Sequence, residues 1–301
     1  MKIIDIHAHI YPKVAGITNG LPMTSEPLGR VKVGNELRQF LPPSFEHTHS
    51  TAEMLIAYMD WCGIDKALLM PNPYYGYHNE YFIESAEKYP NRLRAVALVD
   101  PLKGEAAAKE LAWLYDNTCL FGFKVETDST FQCSPHSHMM SPELAPVWDC
   151  CAQYHQPVFL HLFTAQDIAD LIQMVQLYPD ITFIICHMGV DACFAPGAEA
   201  DAYSTILGLV KEHSNVYIDT STVPVYFQEE YPFPSSVRII EQCYRKIGPE
   251  KMMWASDYPG MLNHATMKQL IGLTAEQCAI PENDMRLIMG ENADRLFFGN
   301  E

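Results

Sequence analysis

Basic side chains are scarce in this chain of 301 residues: 20 lysines and arginines stand against 37 aspartates and glutamates, a formal charge of −17. That deficit argues against nucleic acid or an anionic membrane as partner, because holding phosphate needs a basic face. No apolar run approaches the roughly 20 residues that cross a bilayer. Asp5 stands where a signal peptide would be apolar, so the expected location is the cytoplasm. The nine cysteines include no C-x-x-C pair and several lie inside apolar runs. They read as small buried hydrophobes in a reducing compartment, not as a disulfide scaffold. Repeats and low-complexity tracts are also missing, while a hydrophobic share of 48% is ample for one large core.

What is present is a rhythm. Short β-type runs occur at Lys2–Ile6, Lys66–Met70, Leu93–Val99, Gly122–Val125, Pro157–Leu162, Ile181–Cys186, Val216–Asp219 and Lys251–Ala255. Several are apolar almost throughout, as parallel strands covered on both faces must be. Between them, Thr51–Cys62, Asn79–Tyr89, Gly104–Asn117, Ser141–His155, Thr164–Tyr178, Asp201–His213 and Ser235–Ile247 carry apolar residues at helical spacing. Thr51, Ser141 and Thr164 are candidate caps, and Thr274-Ala275-Glu276-Gln277 has the form of a capping box. Eight strand–helix units in one chain predict an α/β fold, a (β/α)8 TIM barrel spanning residues 1–301 as a single domain. The competing open sheet would place a glycine-rich phosphate turn after its first strand, where this chain has His7-Ala8-His9. One stretch breaks the rhythm. Residues 11–50 form a long insertion between the first strand and first helix, expected over the C-terminal mouth and either functional or holding small elements of its own.

In such a barrel the chemistry gathers at the C-terminal ends of the strands. His7 and His9 end the first strand, and two-residue spacing puts them on one face. His161 ends the fifth strand, His187 follows the sixth and Asp257 follows the eighth. Four imidazoles and a carboxylate from four strand ends suit Zn²⁺ or a similar first-row divalent ion. Two other H-x-H pairs, His47/His49 and His136/His138, lack a preceding apolar strand and read as solvated loop residues.

The combination of Asp5-Ile6-His7-Ala8-His9, a mid-chain His161, His187-Met188-Gly189, Ala255-Ser256-Asp257-Tyr258-Pro259 and the ending Gly290-Glu291-Asn292-Ala293-Asp294-Arg295-Leu296-Phe297 resembles the amidohydrolase superfamily. It is most similar to the amidohydrolase-related branch of metal-dependent hydrolases and non-oxidative decarboxylases. The resemblance implies His7, His9, His161 and Asp257 as metal ligands. It makes Asp257 also the group that handles the proton of the attacking water, and His187 the residue that contacts substrate or activates that water. It implies one divalent ion, zinc first, with Mn, Fe or Co as alternatives. Two-metal members of the family carry a carbamylated lysine on the fourth strand, where this chain has Lys124. Alternation points Lys124 and Glu126 to one side, so the lysine is expected to pair with Glu126 or a substrate carboxylate, and the site to hold one metal.

The expected substrate is a small cyclic molecule with an amide, ester or lactone bond near a polar acid group. Arg30 and Arg38, with Lys32, are candidate carboxylate clamps in the insertion. Tyr74, Tyr75 and Tyr77 after the second strand, and Tyr226, Phe227, Tyr231 and Phe233 after the seventh, are candidate aromatic walls or a subunit interface, leaving a homo-oligomer open. Decarboxylation of a hydroxylated aromatic acid is the runner-up and uses the same residues. A non-catalytic binding protein predicts gaps in the ligand set, and none of the five positions is missing.

Overall fold

A computed structural model describes residues 1–195 and 197–299. The strands are β1 (Ile4–Ala8), β2 (Ile17–Thr18), β3 (Leu21–Glu26), β4 (Arg30–Val33), β5 (Glu36–Gln39), β6 (Lys66–Leu69), β7 (Leu93–Ala97), β8 (Leu120–Glu126), β9 (Val158–His161), β10 (Phe183–Ile185), β11 (Val216–Asp219) and β12 (Met252–Met253). Eight of them form one sheet in the order β1-β6-β7-β8-β9-β10-β11-β12, and all neighbours are parallel. The sheet curls back on itself. Asp257 N donates to His7 O at 2.8 Å and His9 N to Tyr258 O at 2.7 Å, joining β1 to the segment after β12. Helices lie between the strands, so the (β/α)8 barrel expected from the strand–helix rhythm is the fold.

Side chains from alternate positions fill two layers. Ile4, Ile6, Leu68, Val96, Phe121, Phe159, Ile184 and Met253 meet inside the barrel with Phe297 of the C-terminal helix. Residues of the opposite parity, such as Ala67, Ala95, Val158, Phe183 and Ile218, pack outward against the helices. Two irregularities break this parity, and both matter for the site. Between Asp5 and Ala8 the β1–β6 register shifts, which joins Ala8 to the outer layer although Ile4 and Ile6 face inward. In β8, Gly122 takes φ +61°, a conformation that costs a residue without a Cβ little. Phe121 therefore stays inside while Phe123 and Val125 turn outward, leaving Lys124 and Glu126 on the inner face.

The insertion is not an open loop. β2 to β5 form an antiparallel sheet, and paired hydrogen bonds between Tyr11 and Ser50 tie its base. Its own core joins Tyr11, Val14, Met23, Val31, Val33, Leu41 and Phe45 to Tyr75 of the loop after β6. Asn263, after β12, donates to Phe40 O at 2.9 Å.

Helix boundaries follow their caps. Thr51 accepts from Met54 N, and Thr164 with Asp167 makes a capping box. The box expected at Thr274 is a correction: Thr274 lies in the last turn of the helix Met267–Ala275, whose cap is Thr266 paired with Gln269. Ser141 caps nothing through its side chain, and its hydroxyl instead accepts from His138 N. Among the described residues no helix is long and apolar enough to cross a membrane.

Candidate metal centre

His7 lies in the register break of β1 and His9 just past the strand's end, and their ring centroids lie 4.9 Å apart. His187 follows β10 and its ring lies 4.6 Å from His7 and 4.1 Å from His161. It begins a run of three left-handed residues, His187 (φ 53°), Met188 (φ 57°) and Gly189 (φ 67°), and Asp257 after β12 is also left-handed at φ 55°. Such strained backbone clusters where a side chain must be aimed. One atom each of His7, His187 and Asp257 can be chosen so that all lie within 4.8 Å of one another.

Hydrogen bonding fixes how these rings present themselves. His7 Nδ1 lies 3.0 Å from Asp219 Oδ2, and a carboxylate only accepts, so Nδ1 carries the proton. Its Nε2 is buried without a partner. His9 Nδ1 donates to the Met70 carbonyl at 2.5 Å, and its Nε2 faces Asp257 Oδ1 at 3.2 Å. Around His187 Nδ1, the Ser221 and Thr222 hydroxyls both lie at 2.7 Å. Ser221 spends its proton on Asp219 Oδ1 (2.5 Å) and Thr222 on Asp257 Oδ2 (2.8 Å). His187 Nδ1 must then be the donor. The three imidazoles thus commit their Nδ1 protons to other partners, which leaves Nε2 of each as an acceptor in a cluster that includes the Asp257 carboxylate. Such a cluster of acceptors is stable only around a positive centre, and a divalent cation fits it.

The charge states agree. Burial, followed by the nearby charge of Lys124 and His9, holds the His7 imidazole well below its ordinary value. Burial, His161 and His7 do the same for His187. Burial would raise the Asp257 carboxyl, but the adjacent His9 and His7 rings and the Thr222 hydroxyl outweigh that and lower it. Neutral rings and an ionised carboxylate are what a cation requires.

His161 is placed differently. Glu126 is its register partner across β8 and β9. Nδ1 meets Glu126 Oε2 at 2.7 Å, and Nε2 meets Asp191 Oδ2 at 2.8 Å. Both nitrogens therefore donate. Burial disfavours the imidazolium, yet Glu126 and Asp191 lift its pKa to about 9. Lys124 Nζ, fully buried, sits 2.7 Å from Glu126 Oε1 and 3.3 Å from Cys186 Sγ. Burial alone would lower its pKa, but Cys186 and the Glu126 carboxylate carry it above the usual value. An ammonium bound to a carboxylate is the pairing that strand alternation predicts.

Other expected contacts lie elsewhere. Arg30 and Arg38 are a correction: Arg30 Nε donates to Pro27 O at 2.8 Å and Arg38 Nη2 to Glu36 at 2.6 Å. Both lie on the insertion's sheet, Arg30 bonded to the preceding turn and Arg38 to Glu36 of its own strand, and Lys32 beside them is exposed. Tyr75 does reach the centre, its ring 5.0 Å from His9 and stacked on Tyr11 at 4.2 Å. Tyr74 donates to Asp128 at 2.6 Å, and Tyr77 is exposed. His47 and His136 are exposed, and His138 bonds buried Asp170 at 2.7 Å, as loop residues with local partners would. Sequence reasoning missed Asp219, Ser221, Thr222 and Asp191. Only Asp219 left a signal, a carboxylate closing a strand.

The family model described as Amidohydrolase matches residues 4–299. Solved structures share the fold. A protein titled a probable 2-pyrone-4,6-dicarboxylic acid hydrolase from Acinetobacter baumannii, with citric acid bound, superposes with a TM-score of 0.68 at 19% identity, covering 99% of this chain and 100% of that one. An amidohydrolase from Burkholderia multivorans with bound zinc gives a TM-score of 0.70 at 15% identity, covering 98% of each chain. A 5-carboxyvanillate decarboxylase from Novosphingobium aromaticivorans, complexed with manganese and a nitrobenzoic acid, gives 0.61 at 19% identity, covering 80% of this chain and 78% of that one. No curated protein sequence matches.

Proposed function

The chain belongs to the amidohydrolase family, and on that premise we propose that it is a metal-dependent hydrolase of a small cyclic amide, ester or lactone. The observation that carries this is the buried Nε2 of His7, partnerless beside His187, His9 and Asp257. His7, His9 and Asp257 are assigned as ligands of one divalent cation, with zinc first and Mn, Fe or Co as alternatives. His187 supplies the third imidazole in place of His161, whose nitrogens are both taken by carboxylates. One cation is assigned, in keeping with the pairing of Lys124 with Glu126.

When bound, a divalent cation supplies a Lewis acid that polarises a carbonyl and acidifies water. Asp257 is ionised and oriented by the Thr222 hydroxyl, so it takes the proton of the attacking water and returns it to the leaving group. Asp219 keeps His7 and, through Ser221, the segment around His187 in the productive tautomers. Tyr75 and Tyr11 cover one side of the centre and limit bulk water.

The test is metal content, then product. Protein prepared without chelator should carry about one divalent ion per chain, lost in His7→Ala and Asp257→Asn, retained in His161→Ala and reduced in His187→Ala. Full activity after complete metal removal would refute the reading. A panel of lactones and hydroxylated aromatic acids, with acid release and CO₂ followed separately, decides between hydrolysis and the runner-up, decarboxylation. The likeness in fold to a 5-carboxyvanillate decarboxylase keeps that second reading in the test. Hydrolysis is put first because Lys124-Val125 and His187-Met188-Gly189 resemble the hydrolase side of the branch.

A further inference from the structure

β5 is exposed at all four of its residues. It closes one side of the insertion's sheet, and no strand among the described residues pairs with its outer edge. An open edge is a template for another strand, and proteins blunt theirs with proline, lysine or a covering element. This one instead carries Leu37, 54% exposed, between Glu36 and Arg38. Two-residue spacing puts Glu36 and Arg38 on one face, where they bond each other at 2.6 Å with at least half of each side chain in solvent. The phase of the ladder shows which backbone groups are unused. β4 and β5 are antiparallel, with Arg30 opposite Gln39 and Val31 opposite Arg38. One step on, Phe40 N donates to Gly29 O at 2.8 Å. Bonded and non-bonded pairs alternate along such a ladder. Arg38 and Glu36 therefore bond inward to β4, while Leu37 and Gln39 turn their N–H and C=O to the open edge.

We propose that two copies of the chain meet at this edge: β5 pairs antiparallel with β5 of a second copy about a two-fold axis at Leu37, joining the two insertions in one continuous sheet. The pattern is self-complementary. With Leu37 opposite its own counterpart, the unused N–H and C=O groups of the two leucines satisfy each other. Glu36 of each copy then stands opposite Arg38 of the other, in the non-bonded positions where Cα atoms come closest, about 4.5 Å. The two existing Glu36–Arg38 pairs merge into a ring of alternating charge, and opposite charges at such positions stabilise a sheet where like charges destabilise it. An axis centred on Glu36 or on Arg38 would set like charges face to face, so the sequence selects its own register. The two-fold makes both halves of the contact identical and closes the assembly at two chains. Four residues a side bury less than the roughly 1,200 Å² of a standard interface, so the dimer is expected to be reversible and concentration-dependent. Nothing in this pairing depends on the reaction catalysed.

Sedimentation velocity at physiological salt tests it, since the charges of two chains at −17 each are screened there beyond about 8 Å. The unaltered protein is expected to pass from one chain to two as its concentration rises. Leu37→Pro removes the N–H offered to the second copy and leaves the bonds to β4 intact, and it should raise the dissociation constant at least tenfold. Arg38→Glu and Glu36→Arg should each do the same alone, by setting like charges opposite each other. Mixed in equal amounts, those two variants should form a mixed dimer within threefold of the unaltered affinity, and that recovery shows that both are folded. A chain that stays single at every concentration overturns the proposal, whatever else binds the edge. So does a dimer that survives Leu37→Pro and Arg38→Glu, or a pair of charge variants that does not recover on mixing.

Discussion

Replacing Asp219 with asparagine probes the centre without removing any ligand. Asp219 is fully buried, and its two oxygens serve four donors: His7 Nδ1 on Oδ2, and His187 N, Ser221 N and Ser221 Oγ on Oδ1. An asparagine offers one acceptor and one donor in the same space. Its oxygen is expected on the side of the three donors, turning the amide NH₂ towards His7. His7 then shifts its proton to Nε2, which points a hydrogen at the place of the cation. Loss of such a supporting carboxylate costs about 10–100-fold in metal affinity, which is about 1.4–2.7 kcal/mol. The unpaired buried donor adds about 1–3 kcal/mol of lost stability. Competition for Zn²⁺ against a chromogenic chelator reads the first quantity, and urea unfolding of the metal-free protein reads the second. A folded Asp219→Asn protein that binds zinc within twofold of the unaltered chain would refute the tautomer argument.

Three further outcomes follow from the same contacts. Lys124→Met takes one of two cationic partners from the buried Glu126, leaving the His161 imidazolium on its other oxygen, and is expected to cost about 1–3 kcal/mol in urea unfolding; a loss below about 0.5 kcal/mol would show that the pair is dispensable. Burial raises the Glu126 carboxyl, but His161 and Lys124 hold it well below its ordinary value of 4.5. The stability from that shift is therefore complete above pH about 4.5 and lost as pH falls through the lower folded value. Melting temperatures between pH 7 and pH 3 should drop, and Glu126→Gln should flatten the drop; an equal slope in both proteins contradicts this. Gly189→Ala places a Cβ 2.6 Å from Ile206 Cδ1 at φ 67° and should cost about 1–3 kcal/mol, read as a lower melting temperature with disturbed metal binding; no change would mean that the turn relaxes freely.

Much of the molecule was written in local pattern. Apolar runs and three- and four-residue spacing located the eight barrel strands and the long helices, because each depends on neighbours a few positions away. The H-x-H of β1 and the pairing of Lys124 with Glu126 were likewise legible, since two-residue spacing decides a face. The insertion's sheet was not, because its short strands are paired mainly with each other and carry weak periodicity. Tertiary structure alone decided the rest. Asp219 lies 212 positions from His7, Asp191 30 from His161, and Glu126 35 from it in sequence yet opposite it in register. Local pattern carries no information about such partners, because it is the closure of the sheet that brings separate strand ends together. That is why sequence named the histidines, while only the fold could say which of their nitrogens are free and that His161 is held by two carboxylates.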